Sequence, residues 1–372
     1  MSLVAAAVSL LAVPLIAGLA DTAQASPGSS TTAIVSMGDS FISGEAGRWA
    51  GNSLNNDGDR TLTDRAYRNG GYDPSIVYGW TATNGCHRSD VAEIQAAISV
   101  TVHENMACSG AKAVNTWRAS SGGQSFKGEV PQADRLAALA SSRNVKLIAL
   151  SIGGNDLGFS DIISSCVTGF IANGSPCRAA QQSVVDARMP AAMANVSKTV
   201  DEIRSVMAGA GYSTSDYRLV LQSYPSPVPR ASENRYTESG QTRTVMGCPM
   251  WDTDLNWARD SLVPRISAEL KKVAVNKNID FLDLKDAFQG KEVCSKFSSL
   301  VDATHLPSSK TSEWVRFVNS GAFQGDQAES LHPNAYGQKA LGACLSAFNL
   351  MPRGRYACTN NANGSMLVNP AP

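Results

Sequence analysis

This chain lacks an excess of either charge. Lys+Arg and Asp+Glu each number 32 in 372 residues, so the formal net charge is zero, and no run of five or more like charges occurs. A protein that binds nucleic acid through its phosphates carries a basic patch or stripe, so no nucleic-acid partner is expected. Histidine is scarce, with four residues at positions 87, 103, 305 and 332. Cys-x-x-Cys spacing does not occur, which makes zinc a poor reading of the cysteines. The stretch "HENMA" begins like the zinc motif H-E-x-x-H, but Ala107 stands where the second histidine belongs. No cofactor and no metal are expected, and internal repeats are absent.

Basic residues are also missing from the beginning of the chain, the first being Arg48. Residues Ser2 to Ala20 are almost wholly apolar and run into "ADTAQAS", in which Ala23-Gln24-Ala25 is a small-x-small cleavage signal. This reads as a secretory signal peptide removed near Ala25, although a positive n-region is lacking. A membrane anchor is the alternative, weakened by Pro14 and Gly18. Eight cysteines suit export. Eight allow 105 pairings. They fall into sequence-local couples, Cys86/Cys108, Cys166/Cys177, Cys248/Cys294 and Cys344/Cys358, and these are the expected disulfides.

What is present is 43% hydrophobic residues, enough for a real core. Short apolar runs read as buried strands: Thr32 to Met37, Ile98 to His103, Val145 to Ile152, Tyr217 to Tyr224 and Ile279 to Leu284. Helical patterns precede the last three: "QADRLAALAS", "RMPAAMANVSKTVDEIRSVMAGAG" and "WARDSLVPRISAELKKVAVNK". Strands alternating with helices imply βαβ units and a parallel sheet covered on both faces, with ligands at the carboxyl ends of its strands. Two long segments break the alternation. Residues 46–85 are polar, glycine-rich and aromatic, and residues 224–254 contain four prolines. Both are expected to wall a binding cleft.

The candidate chemistry sits at strand ends. Ser40, in "IVSMGDSFISGE", follows the first strand directly. A serine hydroxyl is a weak nucleophile and needs a base within hydrogen-bond reach. Of the four histidines, His332 in "ESLHPNAYGQKALGACL" stands at a loop-to-helix junction, with Glu329 three residues before it to orient the ring. Gly153-Gly154-Asn155 follows the third strand and offers a close backbone and an amide donor. "ACSGA" (Ala107 to Ala111) offers the Gly110 N–H as another.

Together, "GDSF", "CSGA", "GGND" and "SLHP", in that order, resemble the SGNH branch of the GDSL esterases and lipases. The first three cysteine couples are similar to those of secreted actinobacterial lipases in this family. The resemblance implies a three-layer α/β/α sandwich with about five parallel strands in flavodoxin-like order, within one catalytic domain spanning residues 26–372. It also implies roles. Ser40 is the nucleophile, His332 the base, and the Ser40 N–H, the Gly110 N–H and the Asn155 side chain form the oxyanion hole. The family usually has aspartate three residues before the histidine. Here Glu329 is expected in that place, with the Ser330 backbone carbonyl as the alternative.

The implied activity is that of a secreted serine ester hydrolase acting on a lipid or other carboxylic ester through an acyl-enzyme. An acyltransferase with an alcohol acceptor is the immediate rival, and a non-catalytic binding protein on the same scaffold a more distant one. The expected partner is a small-molecule or lipid ester, with transient contact to a lipid surface and a monomeric chain. The G-x-S-x-G elbow of α/β-hydrolases is absent. Asn55 to Asp64 is rich in oxygen ligands but lacks the EF-hand glycine spacing, and reads as a solvated turn. Asn173, Asn195 and Asn363 lie in glycosylation sequons.

Overall fold

The computed structural model describes residues 31–54, 62–319, 325–361 and 363–371. The segment expected to be a signal peptide and most of the oxygen-rich stretch, residues 55–61, lie outside them.

Five parallel strands form the centre: β1 (Thr32–Gly38), β2 (Val102–Asn105), β3 (Asn144–Ser151), β4 (Arg218–Gln222) and β5 (Asp280–Asp283). Their spatial order is β2-β1-β3-β4-β5, the expected flavodoxin-like arrangement. The sheet then continues past the expected five. Strand β6 (Arg355–Asn360) joins β5 in parallel, and β7 (Met366–Pro370) closes the edge antiparallel to β6. Strand β2 begins at Val102, not at Ile98. The chain before it folds back, so that the Ile98 carbonyl meets His103 Nε2 at 2.7 Å.

The strands read as continuous apolar runs because both faces are covered. Consecutive residues alternate between two cores. Val35, Ile148, Leu150 and Leu221 face one, while Ile34, Leu147, Ala149 and Val220 face the other. Eight helices and helical turns matter here: α1 (Ser40–Ser43), α2 (Gln132–Ala140), α3 (Gly154–Leu157), α4 (Phe159–Ile171), α5 (Arg178–Gly209), the short α6 (Asp252–Trp257), α7 (Val263–Asn276) and α8 (Ala335–Asn349). Leu136 of α2, Val196 and Ile203 of α5, and Leu270 of α7 fill the first core. Leu341 and Phe348 of α8 fill the second. The result is a three-layer α/β/α sandwich.

Helix α5 starts ten residues before the expected Arg188 and carries Pro190 in its interior. Its beginning is set by a distant residue. Buried Asp254 accepts hydrogen bonds from the Cys177 and Arg178 backbone N–H groups, both at 3.0 Å, and so occupies two of the orphan donors of the first turn. The helical run expected from Trp257 onward is interrupted by a widened turn at Ala258–Leu262, just before Pro264 in the first turn of α7. All four expected disulfides are closed: Cys86–Cys108, Cys166–Cys177, Cys248–Cys294 and Cys344–Cys358.

Asp254→Ala should leave those two N–H groups unpaired and lower the free energy of unfolding by roughly 1–3 kcal/mol, measured by denaturant titration.

Candidate active site

Strand β1 ends in a turn whose geometry requires glycine. Gly38 has φ +138°, and a Cβ there would collide with the Ser151 carbonyl of β3. Gln132 brackets the same residue, accepting from its N–H at 2.7 Å and donating to its carbonyl at 2.8 Å. Asp39 then caps α1, its carboxyl accepting from the Phe41 N–H at 3.1 Å. Ser40 is therefore the first residue of a short helix at the carboxyl edge of the sheet.

His332 reaches the same point from the other end of the chain. Its Nε2 lies 2.7 Å from Ser40 Oγ, and its Nδ1 lies 3.0 Å from the Ser330 carbonyl oxygen. The histidine loop is locked on both sides. The Arg316 N–H donates to the His332 carbonyl and the Leu331 N–H donates to the Arg316 carbonyl, both at 2.9 Å. Immediately after Pro333, Asn334 caps α8 by accepting from the Tyr336 and Gly337 N–H groups. Gln338 of α8 donates to the Phe41 carbonyl at 2.9 Å, tying the helix to the nucleophile turn.

Glu329 does not reach His332, which corrects the expectation that it orients the ring. It is fully buried at the end of a turn, where its carboxylate accepts from Trp49 Nε1 at 2.7 Å, from the Tyr78 hydroxyl at 2.8 Å and from the Asp326 N–H at 3.0 Å. Leu331, in the left-handed region at φ +60°, turns the chain between the two residues, and the Ser330 carbonyl takes up Nδ1 instead.

Asn155 lies on α3, beyond β3, and lines the same cleft as Ser40 and His332. One of its amide hydrogens goes to the Ala111 carbonyl at 2.9 Å. Gly110 sits one residue before that carbonyl, in a left-handed turn at φ +87°. Its loop is held to the sheet by the Cys108 N–H, which donates to the Gly38 carbonyl at 3.1 Å. Ser40, Gly110, Asn155 and His332, far apart in sequence, therefore converge on one edge. The other histidines are elsewhere. His103 bonds the Ile98 carbonyl, His305 pairs with Asp302, and His87 pairs with Glu45.

Two features were not read from the sequence. The Tyr224 hydroxyl donates to the buried Asp39 carboxyl at 2.5 Å and accepts from the Gly154 N–H at 2.9 Å, so one phenol joins the nucleophile turn to the asparagine turn. The available signal was positional, since Tyr224 ends a strand-like run at the same sheet edge. Burial pushes the Asp39 carboxyl up to about 7, against the Tyr224 and Phe41 hydrogen bonds. The second feature is an apolar chamber of about 80 Å³ behind the cleft of about 430 Å³. Phe41, Phe159 and Ile163 line both spaces, and Tyr224, Pro225, Val228 and Met250 line the chamber. The proline-rich segment 224–254 thus walls a cavity, as expected. The first long segment does not line the cleft among the described residues. Its Trp49 and Tyr78 hold Glu329 instead.

Burial lowers the His332 imidazole below the ordinary histidine value, since a charged ring would be poorly solvated there. The Glu45 carboxylate and the Ser330 carbonyl oppose the shift. The ring is neutral at neutral pH and able to accept a proton from Ser40.

Comparison with known proteins bears on the family and the fold. The profile of the GDSL-like Lipase/Acylhydrolase family matches residues 75–340, which include Gly110, Asn155 and His332 and begin after Ser40. Lipase 1 of Streptomyces coelicolor is 25% identical over 333 residues, covering 89% of this chain and 90% of that protein. The crystal structure of a phospholipase A1 from Streptomyces albidoflavus NA297 shares the fold, with a TM-score of 0.52 and 22% identity over 87% of this chain and 99% of that one. An extracellular lipase from Streptomyces rimosus aligns with a TM-score of 0.46 and 21% identity, over 86% of this chain and 99% of that one.

Glu329→Gln should leave the rate at which a fluorophosphonate labels Ser40 nearly unchanged. It should lower the free energy of unfolding by roughly 1–3 kcal/mol, because a buried three-donor acceptor is disturbed. Labelling rates and denaturant titration check the two halves.

Proposed function

Since the chain belongs to the GDSL-like lipase/acylhydrolase family and is a carboxylic ester hydrolase, we propose that it is secreted and cleaves acyl esters through an acyl-enzyme on Ser40. The observation that carries this reading is the 2.7 Å contact between Ser40 Oγ and His332 Nε2, in a cleft that Asn155 also lines and beside the Gly110–Ala111 turn that Asn155 bonds.

In the forward step Ser40 Oγ attacks the ester carbonyl carbon, and His332 Nε2 takes the hydroxyl proton. The carbonyl oxygen becomes an oxyanion facing the Ser40 and Gly110 N–H groups and the second amide hydrogen of Asn155. As the carbon–oxygen bond of the ester breaks, the leaving alkoxide takes the proton from His332. Water then repeats the sequence on the acyl-serine and releases the acid. Throughout, His332 Nδ1–H donates to the Ser330 carbonyl, which fixes both tautomer and ring orientation. The dipole of that carbonyl partly stabilises the transient imidazolium.

The apolar chamber supports an acyl chain as the group delivered to Ser40, because Phe41 and Ile163 carry apolar surface from the cleft into it. The substrate is then a lipid or other ester with an aliphatic acyl part, and contact with a lipid surface is confined to substrate uptake. Four closed disulfides and the N-terminal cleavage signal support export.

Ser40→Ala should abolish hydrolysis of p-nitrophenyl esters while the protein stays folded, and retained turnover would refute the reading. With the parent protein, kcat/KM should rise with pH along a limb below the ordinary histidine value and then level off. The base must be neutral, and burial holds its proton affinity down. Ile163→Trp, which narrows the passage to the chamber, should reduce kcat/KM for octanoate roughly tenfold more than for acetate.

A further inference from the structure

Behind the nucleophile turn lies a buried carboxylate–histidine pair that the mechanism above does not use. Glu45 is fully buried, and both its carboxylate oxygens meet His87 Nδ1, at 2.8 and 3.0 Å. His87 is largely covered, and its ring stacks on Tyr78 at 4.7 Å with a 20° angle. The histidine occupies the left-handed region at φ +49°, a conformation a non-glycine residue keeps only when its surroundings enforce it.

This pair is tied to three of the four segments that carry a reacting group, the third of them through Tyr78. On one side, the Glu45 N–H donates to the Ser40 carbonyl at 3.3 Å, and Ser43 Oγ donates to the His87 carbonyl at the same distance. On another, the residue before His87 is Cys86, disulfide-bonded to Cys108, and the Ser109 N–H donates to the Cys86 carbonyl at 3.1 Å. Gly110 is the next residue. On the third, the Tyr78 ring beneath His87 donates through its hydroxyl to Glu329, the anchor of the histidine loop.

We propose that Glu45 and His87 are positioning residues for ester hydrolysis: they clamp the Gly110 loop against the Ser40 turn and place a buried carboxylate near His332, whose ring meets no carboxylate among the described residues. The proposal rests on the acyl-enzyme reading above. Removing either partner leaves the other buried without its opposite group, so the clamp works only as a pair. A displacement of about 1 Å at an oxyanion donor is enough to cost roughly a hundredfold in rate.

Electrostatics give the pair a signature that packing alone would lack. The Glu45 carboxylate raises the proton affinity of His332 more than His87 lowers it. Other charged or titratable groups face the pair. Glu329 and Asp326 act on His87 from the histidine loop, Tyr78 lies under its ring, and Lys127 feels Glu45 from beyond the Gly110 loop. In Glu45→Gln the carboxylate is lost and His87 loses the partner that raised its proton affinity. The net effect on His332 is then a lower proton affinity.

The test compares the parent protein, Ser40→Ala, Glu45→Gln and His87→Ala on p-nitrophenyl butyrate and on a fluorophosphonate probe. Glu45→Gln should stay folded, lower kcat roughly ten- to a hundredfold with little change in KM, slow labelling of Ser40 in parallel, and move the acid limb of kcat/KM to lower pH. His87→Ala should lower kcat in the same range. If the parent hydrolyses the ester and Ser40→Ala does not, but folded Glu45→Gln keeps the parent kcat or leaves the acid limb unmoved, the positioning role is refuted while the acyl-enzyme reading stands. If Ser40→Ala hydrolyses like the parent, the acyl-enzyme reading fails and takes this proposal with it.

Discussion

The site depends on how an imidazole is held when no carboxylate meets it. His332 Nδ1 faces the Ser330 carbonyl, two residues back along its own loop. A carboxylate on a side chain can be brought to its target by rotamer choice, whereas a carbonyl goes where the backbone goes. The loop itself must therefore be rigid. Its rigidity comes from Glu329, buried under Trp49 Nε1, the Tyr78 hydroxyl and the Asp326 N–H, and from the two-way backbone bonding between Arg316 and the Leu331–His332 pair. The Arg316 guanidinium lies 3.4 Å over the Trp49 ring, so the first long insertion is packed into the frame that carries the histidine. Glu329 supports that backbone and makes no contact with the imidazole.

The parallel sheet was the legible part. Strand runs at Thr32, Val145, Tyr217 and Ile279 announced themselves as apolar stretches without alternation, and the flavodoxin-like order followed from the family resemblance. Ser40, Gly110, Asn155 and His332 were legible for a related reason: each stands just past an element end, and the sheet edge gathers such positions. What was not legible is side-chain direction within turns. The spacing of Glu329 and His332 suggested contact, but Leu331 in the left-handed region sends the carboxylate into the protein. No local signal marks that conformation at a leucine. The start of α5 was hidden likewise, because its capping group, Asp254, is 76 residues from Arg178. Strands β6 and β7 were missed because they are short and mostly half-buried or exposed: Arg355–Asn360 mixes polar with apolar residues, and Met366–Pro370 has a run of only three apolar residues before Asn-Pro.

Burying so many polar groups beside the nucleophile has a thermodynamic consequence. The Asp39 carboxyl, raised to about 7, keeps its proton in the folded chain over a pH range in which the unfolded chain has lost it. The folded state then binds more protons, so this group's contribution to stability declines as pH rises from about 4 to about 7. The fold tolerates the decline because the same carboxyl caps α1 and takes the Tyr224 hydroxyl, which also receives the Gly154 N–H. Stability is given up where geometry is gained, a common pattern at sites whose groups are pre-set for reaction.

The most direct test is a crystal structure of the protein after reaction with an alkyl fluorophosphonate. The account predicts phosphorus bonded to Ser40 Oγ and a phosphonyl oxygen about 2.7–3.1 Å from the Ser40 and Gly110 nitrogens and Asn155 Nδ2. It also predicts the alkyl chain between Phe41 and Ile163, and His332 Nδ1 still on the Ser330 carbonyl. An unmodified Ser40, or an adduct whose phosphonyl oxygen points away from Gly110 and Asn155, would contradict it.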